Sequence, residues 1–221
     1  MQHRIRVWDL PTRVFHWVLA LAVIALIVTG KVGGEAMFWH ARLGHVVLAL
    51  LVFRLVWGVV GGRWSRFAAF MYAPDTVIRY LKGDGRPEHT IGHNPLGAGS
   101  VFAVLTILAL QVATGLMSDD EIAFAGPLAK FVPGSVVSQA TTWHRSWGQW
   151  LLIALVVLHV AAILFYLWKK KENLIAPMLH GDKLSAHPLP PSRDDAATRV
   201  AALVLLAAGA ALAVWVYRLG Q

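Results

Sequence analysis

No cysteine occurs among the 221 residues, which excludes disulfides, iron-sulfur clusters, zinc-thiolate centres and haem attached covalently through a C-x-x-C-H motif. Charge is scarce too. Asp, Glu, Lys and Arg make up 14% of the chain against 57% hydrophobic residues, whereas in a soluble domain about a quarter of residues are charged. Acidic residues are fewest, twelve against twenty Lys and Arg. None of them falls within the long apolar runs, so those runs offer no carboxylate as a proton acceptor.

What is present is apolar and arranged in blocks. Five runs, Val14 to Thr29, His40 to Val60, Leu96 to Met117, Trp147 to Trp168 and Ala197 to Tyr217, approach the roughly 20 helical residues that cross a hydrocarbon core of about 30 Å. The composition therefore predicts an all-α integral membrane protein. The first run follows a basic stretch but lacks a small-residue cleavage site, and Pro11 stands where a helix begins, so it reads as a retained span and not as a signal peptide. The net charge of +8 would raise the question of nucleic acid in a soluble protein. Here its distribution points to lipid and excludes nucleic acid as a partner. Arg4, Arg6, Arg13, Arg63, Arg66, Arg79, Lys82, Arg86, Lys169 to Lys171, Lys183 and Arg193 fall in alternate connections. By the positive-inside rule the N-terminus is cytoplasmic, and five spans put the C-terminus outside.

No disordered linker separates the first four spans, so they are expected to form one transmembrane four-helix bundle over residues 1–183. Residues 184–196, with Pro188, Pro190 and Pro191, read as a cytoplasmic linker that tethers a fifth helix loosely, over residues 197–221. That helix reads as an anchor, with a dimer contact through Gly209 as the alternative.

The informative side chains are histidines inside the spans: His16, His40, His45, His144 and His159. Ionisable groups in a bilayer are costly and suggest function, and neutral imidazole is a standard axial ligand for haem iron. The alternating topology puts His16 and His159 near one face and His40 or His45 with His144 near the other. His144 and His159 are fifteen residues apart, roughly 22 Å along a helix and within about 60° in azimuth. Two levels result, each with two histidines. Gly44 stands one turn after His40 and Gly148 one turn after His144, leaving a flat face where a porphyrin could lie. Ala49 occupies that place after His45, so His40 is favoured with His45 as the alternative. Arg54 fits a charge partner for a haem propionate, and Arg13 is a second candidate. Most of the tryptophans, Trp57 among them, read as interfacial belt residues. His3, His89, His180 and His187 read as solvent-facing, and Asn94 as the N-cap of the third span, with Pro95 beginning it.

Several motifs then match a family in order along the chain: V-W-D-L-P-T-R-V-F-H-W around His16, H-A-R-L-G with F-R-L-V-W-G from His40 to Gly58, G-D-G-R and G-H-N-P-L-G from Gly83 to Gly97, T-G-L from Thr114, the two histidines of the fourth span, and K-E-N-L-I-A-P-M-L-H-G-D-K ending at Lys183. In these residues the sequence resembles the prokaryotic cytochrome b561 family, including the b-type cytochrome subunits of nickel-iron hydrogenases. The resemblance implies four core helices, two non-covalent haems b in the bacterial inner membrane, and electron exchange with ubiquinone or menaquinone. It implies His16, His40, His144 and His159 as iron ligands. Its fourth-span histidines stand one residue further apart than the family pattern, and the fifth helix lies outside it. Asp119, Asp120 and Glu121 would suit a basic c-type cytochrome as redox partner. Superoxide-to-quinone electron transfer and a role as membrane anchor of a larger oxidoreductase are the alternative functions.

Overall fold

The computed structural model describes residues 2–122 and 124–221. In chain order these form strand β1 (His3–Arg6), helices α1 (Leu10–Val32), α2 (Ala36–Val60), α3 (Pro74–Leu81), α4 (Pro95–Met117) and α5 (Gly134–Thr142), a π-helical turn (Trp143–Gly148), then α6 (Gln149–Trp168), α7 (Ile175–His180), β2 (Asp182–Ser185) and α8 (Ala196–Leu219). Among the described residues five helices are long and apolar enough to span a membrane: α1, α2, α4, the continuous Gly134–Trp168 helix and α8. The fold is thus that of an all-α, multi-pass membrane protein. The fourth span starts at Gly134 and not at Trp147, because Ser138, Gln139, Thr141 and Thr142 lower its hydropathy without breaking the helix. Pro133 precedes its first residue, where the missing N–H leaves no bond unmade.

The chain divides into two compact units. The first comprises the N-terminal stretch as far as Phe15, Arg54–Ala103 and Val157–Leu203. Its two strands pair antiparallel, His3 opposite Ser185 and Arg6 opposite Asp182, over a cluster of Ile5, Val7, Trp8, Trp64 and Ile91. The proline-rich segment is tied into this cluster, in place of the loose tether expected. Ser192 Oγ donates to Val7 O at 2.7 Å and accepts the Trp64 N–H at 3.2 Å, while Trp64 Nε1 donates to Pro190 O at 3.0 Å. Proline forbids helix here but keeps its carbonyl, and that carbonyl is what the indole uses.

Asp9, fully buried, holds this unit together. It caps α1 by accepting the Thr12 N–H at 2.8 Å, as an N-cap aspartate does. Its oxygens also accept the Gly62 N–H, the Ser65 hydroxyl and the Trp57 indole N–H at 3.0 to 3.2 Å. Trp57 is 1% exposed, a packed core residue and not a belt tryptophan. Trp17, Trp39, Trp147 and Trp168 are exposed, as belt residues are. A second carboxylate, Asp194, meets Arg6 at 2.8 Å and Arg199 at 3.1 Å. Burial alone would raise its pKa, but the bonds from Arg199 and the Leu10 N–H and the charge of Arg6 hold it below the ordinary value.

The second unit comprises His16–Phe53, Val104–Val156 and Val204–Gln221. Four spans meet in its core, through Ala22 and Val23 of α1, Val47 and Leu51 of α2, Leu108 of α4 and Leu152 of α6. The C-terminal helix packs on α2 at Gly209, where a Cβ would stand 2.8 Å from Ala49 O. Gly209 therefore serves a contact within the chain.

Two stability predictions follow from the buried carboxylates. Asp9→Ala leaves its donors without an acceptor and is expected to cost about 3 kcal/mol or more, read as lowered thermal stability in detergent. For Asp194, the depressed folded value means that its contribution is complete above the unfolded carboxylate pKa of about 3.9 and is lost as pH falls through the folded value. Asp194→Asn should lower the melting temperature at pH 7 and flatten its decline toward pH 3.

Candidate functional site

Two of the predicted ligands are brought together. His40 lies in the second turn of α2 and His144 in the π-helical turn, both half-buried, with ring centroids 6.0 Å apart and planes at 87°. His40 Nδ1 is 3.0 Å from Leu26 O and His144 Nδ1 is 2.8 Å from Gln111 O. A carbonyl oxygen can only accept, so each Nδ1 carries the proton and each Nε2 is left as the lone-pair donor. The tautomer required of a metal ligand is thereby set by the backbone.

His144 itself sits in the π-helical turn. Such a turn holds one more residue than an α-helical turn and frees a carbonyl from the helix ladder. His144 O is bound from outside, by Gln111 Nε2 at 2.7 Å. Gly148 makes room for that side chain: a Cβ there would meet Gln111 Oε1 at 2.0 Å and Trp143 Nε1 at 2.5 Å. The face of Gly148 is therefore filled by protein, whereas nothing lies within 4 Å of a Cβ at Gly44. Two glycines that hydropathy and ligand spacing did not single out touch the histidines directly. A Cβ on Gly30 would be 3.1 Å from His40 Cε1, and one on Gly115 would be 2.7 Å from His144 Cε1.

His45 is directed elsewhere. Its Nδ1–H is bonded to Ala41 O at 2.8 Å and its ring packs edge-on against Tyr217, 5.4 Å away, in a groove between α2 and α8 that Arg42, Ala49 and Ala213 also line. His16 belongs to the second unit, at 5.1 Å from the Trp17 ring. His159 belongs to the first, half-buried on α6. Arg54, also in the first unit, is 4% exposed, has its guanidinium 4.5 Å over the Phe67 ring and feels the charge of Asp9. Its Nη1 has no hydrogen-bond partner among the described residues.

Near the start of α4, Asn94 Oδ1 accepts the Gly97 N–H at 2.7 Å, the cap that the sequence predicts. The His93 ring packs against Trp8 and Phe70 at 4.8 and 4.5 Å. His89 is 6% exposed and not solvent-facing: its ring meets Tyr72 and Tyr80, and its Nδ1 accepts the Arg86 N–H. No group of three or more His, Asp or Glu side chains that could hold a metal ion occurs among the described residues. The His40–His144 pair thus offers two nitrogen donors, fewer than the three or four that a zinc site uses.

Spanning helices, absent thiols and paired interior imidazoles are the parts a multi-pass membrane protein with a non-covalent haem would use. The family model described as prokaryotic cytochrome b561 matches residues 7–181, and the chain belongs to that family. It is similar to the probable Ni/Fe-hydrogenase B-type cytochrome subunit of Azotobacter vinelandii, at 30% identity over 81% of this chain and 88% of the relative. It is also similar to the probable Ni/Fe-hydrogenase 1 B-type cytochrome subunit of Escherichia coli (strain K12), at 28% over 79% and 88%, and to the probable Ni/Fe-hydrogenase B-type cytochrome subunit of Bradyrhizobium diazoefficiens, at 27% over 80% and 85%.

A b-type cytochrome holds haem b without covalent links, as a cysteine-free chain requires. The His40–His144 pair would suit that group. Two imidazole nitrogens about 2.0 Å from a shared first-row metal would leave their ring centres about 6 Å apart. The observed spacing is 6.0 Å.

The glycines one turn after His40 and His144 differ in a testable way. Gly148→Ala should overpack the Gln111 bridge and lower stability by about 1–3 kcal/mol, seen as a lower melting temperature, whereas Gly44→Ala, inside α2 and facing open space, should raise stability by up to about 1 kcal/mol.

Proposed function

We propose that this chain is a di-haem b-type cytochrome that passes electrons between membrane quinone and a partner oxidoreductase, with His40 and His144 as axial ligands of one haem and His16 and His159 of the other. The single observation that carries the reading is the facing His40–His144 pair, 6.0 Å between ring centres, each Nδ1 on a backbone carbonyl. For His16 and His159 the support is the sequence pattern: one histidine on the first span and one on the fourth, at matching depth, in the positions of the family's motifs.

Haem b supplies one-electron redox chemistry; the protein's part is to hold it, to tune it and to keep water from it. His40 and His144 present Nε2 lone pairs, and their Nδ1–H bonds raise ligand basicity. Arg54, buried with an unused Nη1, is suited to a propionate. Gly44 leaves one side of α2 flat. By the basic residues of alternate connections, the N-terminus is cytoplasmic in the bacterial inner membrane.

The curated relatives are named as cytochrome subunits of Ni/Fe-hydrogenases, which makes a hydrogenase the preferred redox partner, with ubiquinone or menaquinone as the other. A c-type cytochrome is less well supported at Asp119, Asp120 and Glu121. There Asp119 Oδ1 accepts the Glu121 N–H, and Asp120 Oδ1 accepts those of Ile122 and Phe124, so these two carboxylates are engaged in the turn itself.

Haem stoichiometry tests the assignment. Wild type should hold two haems b per chain by pyridine haemochrome assay; His40→Ala, His144→Ala, His16→Ala and His159→Ala should each lose one, and His45→Ala should keep both. Full haem content in His40→Ala together with loss in His45→Ala would reverse the choice between them.

A further inference from the structure

The same five-residue device occurs on two helices. In α1, Leu26 O accepts the His40 Nδ1–H, and Thr29, three residues on, donates its hydroxyl to Ala25 O at 2.7 Å and Leu26 O at 3.2 Å. In α4, Gln111 O accepts the His144 Nδ1–H, and Thr114 donates to Leu110 O at 2.7 Å and Gln111 O at 3.1 Å. A glycine follows each threonine, and the ring of the histidine occupies the space where its Cβ would stand, 3.1 Å from His40 Cε1 at Gly30 and 2.7 Å from His144 Cε1 at Gly115. A helix carbonyl is ordinarily committed to its own ladder. Threonine back-bonding to the i−3 and i−4 carbonyls competes with the ladder there, and the missing Cβ lets the imidazole reach the carbonyl.

We propose that Thr29-Gly30 and Thr114-Gly115 are matched positioning sockets that set the proton location and ring plane of His40 and His144, so that both Nε2 atoms would be offered to one iron with the ring planes at 87° to each other. This rests on the reading of His40 and His144 as ligands of a single haem. The residues named do not touch the iron; they act through the imidazoles. A plain packing role for the glycines makes a different forecast: Gly→Ala would lower stability through the close contact with the ring and leave the EPR signal and potential unmoved.

The experiment uses the full-length protein in detergent, with haem content, EPR of the ferric state and redox titration of the haem whose low-spin signal disappears in His40→Ala. The g-anisotropy of that signal reports the angle between the two imidazole planes. Gly115→Ala should change it and raise the midpoint potential, because a ligand that loses its Nδ1–H bond is less basic and stabilises ferric iron less. Gly30→Ala, with the longer contact, should do the same to a smaller extent. Thr114→Val should shift both readouts in the same direction, and Thr114→Ser should restore them. If Gly115→Ala does not accumulate, Gly30→Ala and the Thr114 pair decide. Unchanged EPR and potential in Gly30→Ala and Thr114→Val would overturn the sockets while leaving the ligands in place. Retention of both haems in His40→Ala and His144→Ala would overturn the ligand reading itself.

Discussion

An imidazole inside a bilayer has an N–H that must be given to an acceptor, and nearly every carbonyl around it already belongs to a helix ladder. The histidine pair depends on how that conflict is resolved, with His40 on Leu26 O and His144 on Gln111 O. Once both Nδ1–H groups are satisfied, both Nε2 atoms are free donors, and the rest of the local architecture follows from reaching those carbonyls. The threonines bond back to the same carbonyls, the glycines admit the rings, and the π-helical turn places His144 while Gln111 binds the carbonyl it releases.

The first unit solves a different problem, that of polar groups buried at helix ends. A helix leaves its first N–H groups without partners, and Asp9 takes one from α1 while binding the chain beyond α2 through Gly62 and Ser65. The strands and the proline-rich segment then close over Trp8 and Trp64 through backbone carbonyls that no helix has claimed. Prolines therefore have a use here beyond stopping a helix. They hold a segment extended so that its carbonyls stay available.

Membership of the cytochrome b561 family joins these parts to a chemistry. Haem b in such a protein needs nitrogen donors of fixed tautomer, a dry surround and charges placed for its propionates. The imidazole pair, each Nδ1–H on a backbone carbonyl, and buried Arg54 are the groups we propose for those parts. His45, five residues from His40 on the same helix, illustrates the opposite case: its Nδ1–H is bonded within its own helix, and its ring lies against Tyr217.

By itself the sequence determined the membrane fold, since apolar runs of spanning length have no other stable solvent, and it marked the interior histidines because charge is so costly there. The cap at Asn94 was equally legible, being a local rule. Only the tertiary structure decided which side chains meet. Trp57 and His89 looked like surface residues because burial depends on neighbours far along the chain. Gly148 looked like a porphyrin face and is occupied by Gln111 from another helix. The sockets at Gly30 and Gly115 were invisible, since a glycine acquires that meaning only when a ring from elsewhere arrives in the space its side chain lacks. The π-helical turn was hidden for the same reason. Which turn of a helix takes in an extra residue is settled by the hydrogen bonds that neighbouring helices offer.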